Sequence, residues 1–101
     1  MIIVRVKNKD NFIESFTVSG HADYDEYGKD IVCASVSSIT ISSINLAIRI
    51  DKSSVNVVNR DGLLDVKVLK QDEIINKIFI NMVEMLKELE GSYSKNIKIY
   101  R

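Results

Sequence analysis

The sequence predicts an α+β fold in the order ββαββαβ, a mixed or antiparallel sheet covered by two main helices. Three observations predict it. Five short stretches alternate apolar and polar residues, the period of a half-buried strand. Two longer stretches repeat apolar residues at spacings of three and four, the period of a helix. The turn-forming clusters NKDN and NRDG join alternating stretches in pairs. The chain has 101 residues, which fits a single domain spanning 1–101. It has no linker and no internal repeat beyond a faint similarity between two ββα halves.

The first pair is IIVRVK and FIESFTV. Ile2, Val4 and Val6 face one way; Phe12, Phe16 and Val18 share a face, with Glu14 between them. Asn8–Asn11 supplies the turn. Residues 20–30 form a polar loop between two glycines, Gly20 and Gly28, whose backbones are permissive. Residues 31–50, IVCASVSSITISSINLAIRI, have poor helix propensity because serines and β-branched residues abound. Their periodicity still requires a helix. Val32, Val36, Ile39, Ser43, Leu46 and Ile50 form one stripe; Ala34, Ser37, Ile41, Ile44 and Ile48 form another. Two stripes predict burial on more than one side. Asp30 precedes the helix and is a suitable N-cap.

A second hairpin follows at 54–69, with Gly62 at its turn. Asp72 caps a second helix that aligns Ile75, Phe79, Met82, Leu86 and Leu89, and Gly91 is its expected stop. NIKIYR reads as a last strand.

Composition excludes several classes. Hydrophobic residues make up 46% of the chain, too many for a disordered protein. The net charge is zero, which argues against a broad basic surface, although a local patch escapes that count. A single cysteine makes no internal disulfide. The N-terminus carries charges inside its apolar run, unlike a signal peptide. No stretch reaches the roughly 18 uninterrupted apolar residues of a membrane span. The expectation is a cytoplasmic protein with a free thiol and no membrane partner.

The chemistry concentrates in SGHADYDEYGKDIVCASVS, which holds the only histidine, His21, and the only cysteine, Cys33. With Asp30 as N-cap, Cys33 lies in the first helical turn. Unpaired N–H groups and the helix dipole favour a thiolate there. The same N–H groups are suited to hold an oxyanion. An imidazole titrating at about 6.5 when unperturbed takes and returns protons near neutrality. Asp30 has two competing uses, as cap or as a third member that orients His21. A carboxylate beside a thiolate also opposes thiol activation. A lone cysteine near a helix start is more often a small buried hydrophobe, and a lone histidine a solvated loop residue. A zinc site would need Asp23, Asp25 or Glu26 to supplement one Cys and one His. Cys-x-x-Cys redox chemistry is excluded for want of a second cysteine.

Gly20-His21-Ala22, the loop ending in Gly28, then Asp30-Ile31-Val32-Cys33-Ala34 and Val36-Ser37 resemble the signature of the Prp family. These are ribosomal-processing cysteine proteases, also called YsxB-like proteins. Length and element order agree over essentially the whole chain. The resemblance implies a bacterial, cytoplasmic peptidase with no cofactor. Such an enzyme removes the short N-terminal extension of large-subunit ribosomal protein twenty-seven, cutting after paired aromatic residues. It implies Cys33 as nucleophile, His21 as general acid/base and Asp30 at the family's aspartate position. It also implies a homodimer, a His–Cys loop that shifts when substrate binds, and no requirement for nucleic acid. The family pattern has a small residue where Ser35 stands and often glycine where Asp23 stands. Tyr24 and Tyr27 are candidates to line the aromatic pocket, or ordinary loop residues. The alternative function is a non-catalytic module that binds a ribosomal protein or assembly intermediate through the same loop.

Overall fold

The computed structural model describes residues 1–26 and 28–101. The elements are β1 (Ile2–Lys9), β2 (Phe12–Ser19), α1 (Ile31–Ile50), β3 (Val55–Arg60), β4 (Leu63–Val68), α2 (Glu73–Ser92) and β5 (Ile97–Tyr100). They follow the expected ββαββαβ order. The five strands form one sheet in the order β3-β4-β2-β1-β5. β1 and β5 run parallel, and every other pair is antiparallel. Val4, Val18 and Leu64 share a cross-strand row, as do Val6, Phe16 and Val66. These rows carry the apolar face of the sheet, which both helices cover.

Asp10 and Asn11 close the first hairpin with φ values of 54° and 66°. Positive φ at both central residues is the type I′ geometry, whose twist matches a right-handed hairpin. The strand that follows departs from simple alternation. Lys7 pairs with Ser15, but Asn8 pairs with Ile13, so Glu14 is an extra residue in β2. This bulge shifts the pattern by one position. Ile13 is buried beside Phe16, and Phe12, expected on that face, is only half-buried. The Ile13 N–H donates to Asn76 Oδ1 at 2.9 Å, tying the bulge to α2.

α1 forms despite its composition because burial of its apolar seam outweighs weak intrinsic propensity, while several of its hydroxyls bond back within the helix. Ser35 Oγ donates to the Ile31 carbonyl, Thr40 Oγ1 to Val36 and Ser43 Oγ to Ile39. Such back-bonding satisfies these oxygens but adds no helix stability of its own. The buried seam is Val32, Val36, Thr40, Ile44 and Ala47. It crosses from one expected stripe to the other through Thr40, so burial follows one seam and not two. Leu46, Ile50 and Ile41 are exposed on its flanks. α1 is long and apolar enough to cross a membrane by composition, yet its seam packs into the core of this domain.

α2 buries Ile75, Phe79, Met82, Val83 and Leu86. It does not stop at Gly91. The helix continues to Ser92, and the Tyr93 N–H donates to the Leu89 carbonyl to close the last turn. Glu90 Oε2, one turn from the end, accepts the Ile99 N–H at 2.7 Å and joins α2 to β5.

Candidate active site

The site lies where β2 ends and α1 begins. Gly20 leaves β2 with φ of 85°, and its N–H donates to the Gly62 carbonyl at 3.1 Å. A Cβ at this position would collide with the Met1 carbonyl oxygen. Glycine is thus required twice, for its conformation and for the close approach of β1. The chain then turns back across the start of α1. Ala22 is buried, and its N–H donates to Cys33 Sγ at 3.3 Å. Asn96 Nδ2, just before β5, donates to the Ala22 carbonyl at 3.0 Å. Ala22 is therefore held through both its N–H and its carbonyl, in the two peptide units that flank its Cα, and His21 is attached directly to it.

Asp30 holds the rest of the loop. Its Oδ1 accepts the N–H groups of Val32 and Cys33, each at 3.0 Å. Its Oδ2 accepts those of Tyr24 at 3.0 Å and Asp25 at 3.3 Å. One carboxylate caps the helix and pins the loop to it. Partial desolvation works to raise its pKa, but the four backbone donors outweigh it and leave the carboxyl below its ordinary range. Asp30 stands as the cap, with both oxygens engaged by the backbone. The Val32 and Cys33 N–H groups, expected to be available for an oxyanion, are committed to it.

Cys33 is half-buried and its thiol is free. It shares an open cleft of about 790 Å³ with His21, Asp30, Gly20, Gly28 and Ser37. His21 is exposed in this cleft. The carboxylates of Asp23, Asp25 and Glu26 line the same cleft. Asp23 has φ of 56°, a left-handed conformation in which glycine would be relaxed. It pairs with the Met1 amino group at 3.0 Å, an exposed contact of small energetic weight. Tyr24 does not join the cleft. Its ring packs edge-on against Tyr93 with centroids 5.4 Å apart. The expectation for Tyr27 lies outside the described residues. Among the described residues no cluster of three or more His, Cys, Asp or Glu is arranged to hold a metal ion.

The ends of the helix carry a pH response. Asp51, which follows α1, accepts from Lys70 Nζ at 2.9 Å and from the Ser53 hydroxyl and N–H. Lys70 and Ser53 lower its pKa to about 2. Both Asp30 and Asp51 are thus more acidic folded than the roughly 3.9 of an unfolded aspartate. Their stabilisation is complete above that value and disappears as the pH falls through the folded pKa. The melting temperature is expected to drop between about pH 4 and pH 2, and Asp51→Asn should flatten that drop. Equal slopes for the variant and the parent in thermal melts would refute the assignment.

Sequence reasoning brought together His21, Cys33 and Asp30. It did not find Asn96 or Tyr93, which hold the loop from the far end of the chain, and no local pattern marks them.

Comparison with known proteins agrees with this geometry. A family profile described as cysteine protease Prp matches residues 1–98. The ribosomal processing cysteine protease Prp of Staphylococcus aureus is 28% identical, over 91% of this chain and 90% of that protein. The crystal structure of the S. aureus protease with a covalently linked product peptide superposes with a TM-score of 0.93. It is 28% identical and covers 99% of this chain and 98% of that one. The same protease with a substrate peptide gives a TM-score of 0.87 at 27% identity, over the full length of both chains. The chain belongs to the cysteine protease Prp family.

Proposed function

We propose that this protein is a cytoplasmic cysteine peptidase that removes the N-terminal extension of large-subunit ribosomal protein twenty-seven. One observation carries the reading: the sole thiol sits at a capped helix start, in one cleft with the sole imidazole, within a chain that the family profile matches over residues 1–98. His21 takes the Cys33 thiol proton, and the thiolate Sγ attacks the scissile carbonyl. The Ala22 N–H, which donates to Sγ at 3.3 Å, is a backbone donor beside the sulfur for the developing oxyanion. His21 protonates the departing amine, and the acyl-enzyme forms. His21 then takes a proton from water, which attacks the thioester and releases the new carboxyl terminus. Asp30 acts as a positioning residue by pinning the His–Cys loop to α1. Entry of a peptide requires that loop to shift, which breaks the bonds from Tyr24 and Asp25 to Asp30.

The test is incubation with the precursor ribosomal protein and mass analysis of the products. A single cut after paired aromatic residues is the expected result. An intact precursor that stays bound to the protein would favour the non-catalytic alternative. The active species is a homodimer. Exposed Leu46 and Ile50 on α1 and Ile74 and Met85 on α2 border an apolar groove of about 540 Å³, which supports that reading. Sedimentation at micromolar concentration should give twice the chain mass, and monomer alone would exclude the dimer.

A further inference from the structure

The zero net charge hides an uneven distribution. Residues that alternate with the core point to the other face of the sheet, which no helix covers. The strand register places Lys98, Ile3, Ser19, Leu63 and Arg60 in one row across that face. Tyr100, Arg5, Thr17, Asp65 and Val58 make the next row. Lys7, Ser15, Lys67 and Asn56 make the third. Five cations therefore share the face with Asp65 as the one carboxylate in these rows. Glu14, displaced by the bulge, pairs with Lys7 at 4.0 Å. Arg5, Lys7, Arg60, Lys67 and Lys98 are all exposed. The catalytic cleft has the opposite character, being lined by Asp23, Asp25, Glu26 and Asp30.

We propose that the open face of the sheet is a docking surface for single-stranded RNA. Charge complementarity supports a polyanion, and three features select a single-stranded nucleic acid. Arg5 and Lys7 sit about 7 Å apart along β1, and neighbouring strands are about 4.8 Å apart, so the cations form a flat grid and not a pocket. Such a grid fits a phosphate backbone laid across strands. The Arg5 guanidinium lies 4.8 Å from the centre of the Tyr100 ring, and Tyr100 is 45% exposed. This planar pair at one side of the grid offers a platform for stacked bases. Ser15 lies between Lys7 and Lys67, and Thr17 lies beside Arg5, so both hydroxyls are suited to phosphate and 2′-OH groups. An acidic peptide in extended form would instead add to a strand edge, where backbone groups are unpaired. The choice of RNA over DNA rests on the ribosomal-processing reading above. Cleavage of a free peptide needs no nucleic acid. The face serves when the substrate protein is carried by ribosomal RNA, and the acidic cleft keeps that RNA away from Cys33.

The experiment is fluorescence anisotropy of a labelled 20-nucleotide single-stranded RNA with the full chain from 50 to 200 mM salt. Cleavage of a free peptide is measured on the same samples. The triple variant Arg5→Ala/Lys67→Ala/Lys98→Ala should bind at least about tenfold more weakly. Its log K against log salt slope should be shallower by about 2, because each single-strand phosphate contact contributes about 0.7. Tyr100→Leu should weaken binding roughly fivefold or more through lost stacking. Peptide cleavage should be unchanged in both variants. RNA binding equal in parent and triple variant, or none at 50 mM salt, would overturn the proposal. So would displacement of the RNA by polyglutamate at equal charge concentration, which would assign the face to an acidic protein. Loss of RNA binding in the triple variant, in a protein that cleaves no peptide, supports the docking surface and refutes only the peptidase reading.

Discussion

Cys33→Ala is expected to lower cleavage of the precursor peptide by roughly ten-thousand-fold or more while leaving the fold intact. The size follows from removal of a nucleophile that forms the covalent intermediate, since little but binding and oxyanion stabilisation then remains. The fold should survive because Cys33 is only half-buried and alanine is a good helix former. The Asp30 cap bonds to the backbone N–H of residue 33, which the substitution keeps. A change in stability within about 1 kcal/mol is expected by denaturant titration. His21→Gln gives the graded companion, a fall of about 10²–10⁴-fold in kcat with little change in KM. Cleavage by Cys33→Ala at the parent rate would remove the thiol from the chemistry. A binding module would show equal peptide affinity in both proteins and no cleavage in either.

Much of this was legible before folding was considered. Alternation located five strands, and Asp30 and Asp72 marked both helix starts by their residue type alone. Each carboxylate indeed accepts two first-turn N–H groups. What stayed hidden depended on distance along the chain. The bulge at Glu14 moved Ile13 into the core and Phe12 partly out of it. A bulge follows from how β2 must pair with β1, and FIESFTV read alone gives no sign of it. Thr40 was missed in the α1 seam because it lies in neither expected stripe, and only the folded helix shows it bridging the two with its hydroxyl satisfied by the i−4 carbonyl. Gly91 was read as a stop because glycine often ends helices. Here the Tyr93 N–H bonds to the Leu89 carbonyl and closes the last turn beyond it. At the site, the candidate catalytic residues were visible as a motif, whereas those that hold the loop were not. Asn96 reaches Ala22 across 74 positions of sequence. The basic face was invisible to net charge because the cleft carboxylates offset it in the sum.

Gly20→Ala is expected to destabilise the protein by about 2 kcal/mol or more, for two reasons that add. A residue with a Cβ at φ of 85° costs roughly 1–2 kcal/mol relative to glycine. The Cβ must also displace the Met1 carbonyl, a backbone atom that leads directly into β1. β1 lies between β2 and β5, so it has little room to retreat. For a chain of this size the melting temperature should fall by about 8 °C or more. Activity should fall further than stability accounts for at temperatures where the variant is still folded. Any relief of the clash rotates the peptide that leads to His21 and disturbs the Ala22 N–H contact to the sulfur. Gly28→Ala is the control. Its φ is also positive, at 86°, but a Cβ there meets nothing within 4 Å. It should bear the conformational cost alone and melt several degrees above Gly20→Ala. Equal melting temperatures for the two variants would mean that β1 yields freely, and that Gly20 is needed for its backbone angle and not for the approach of the first strand.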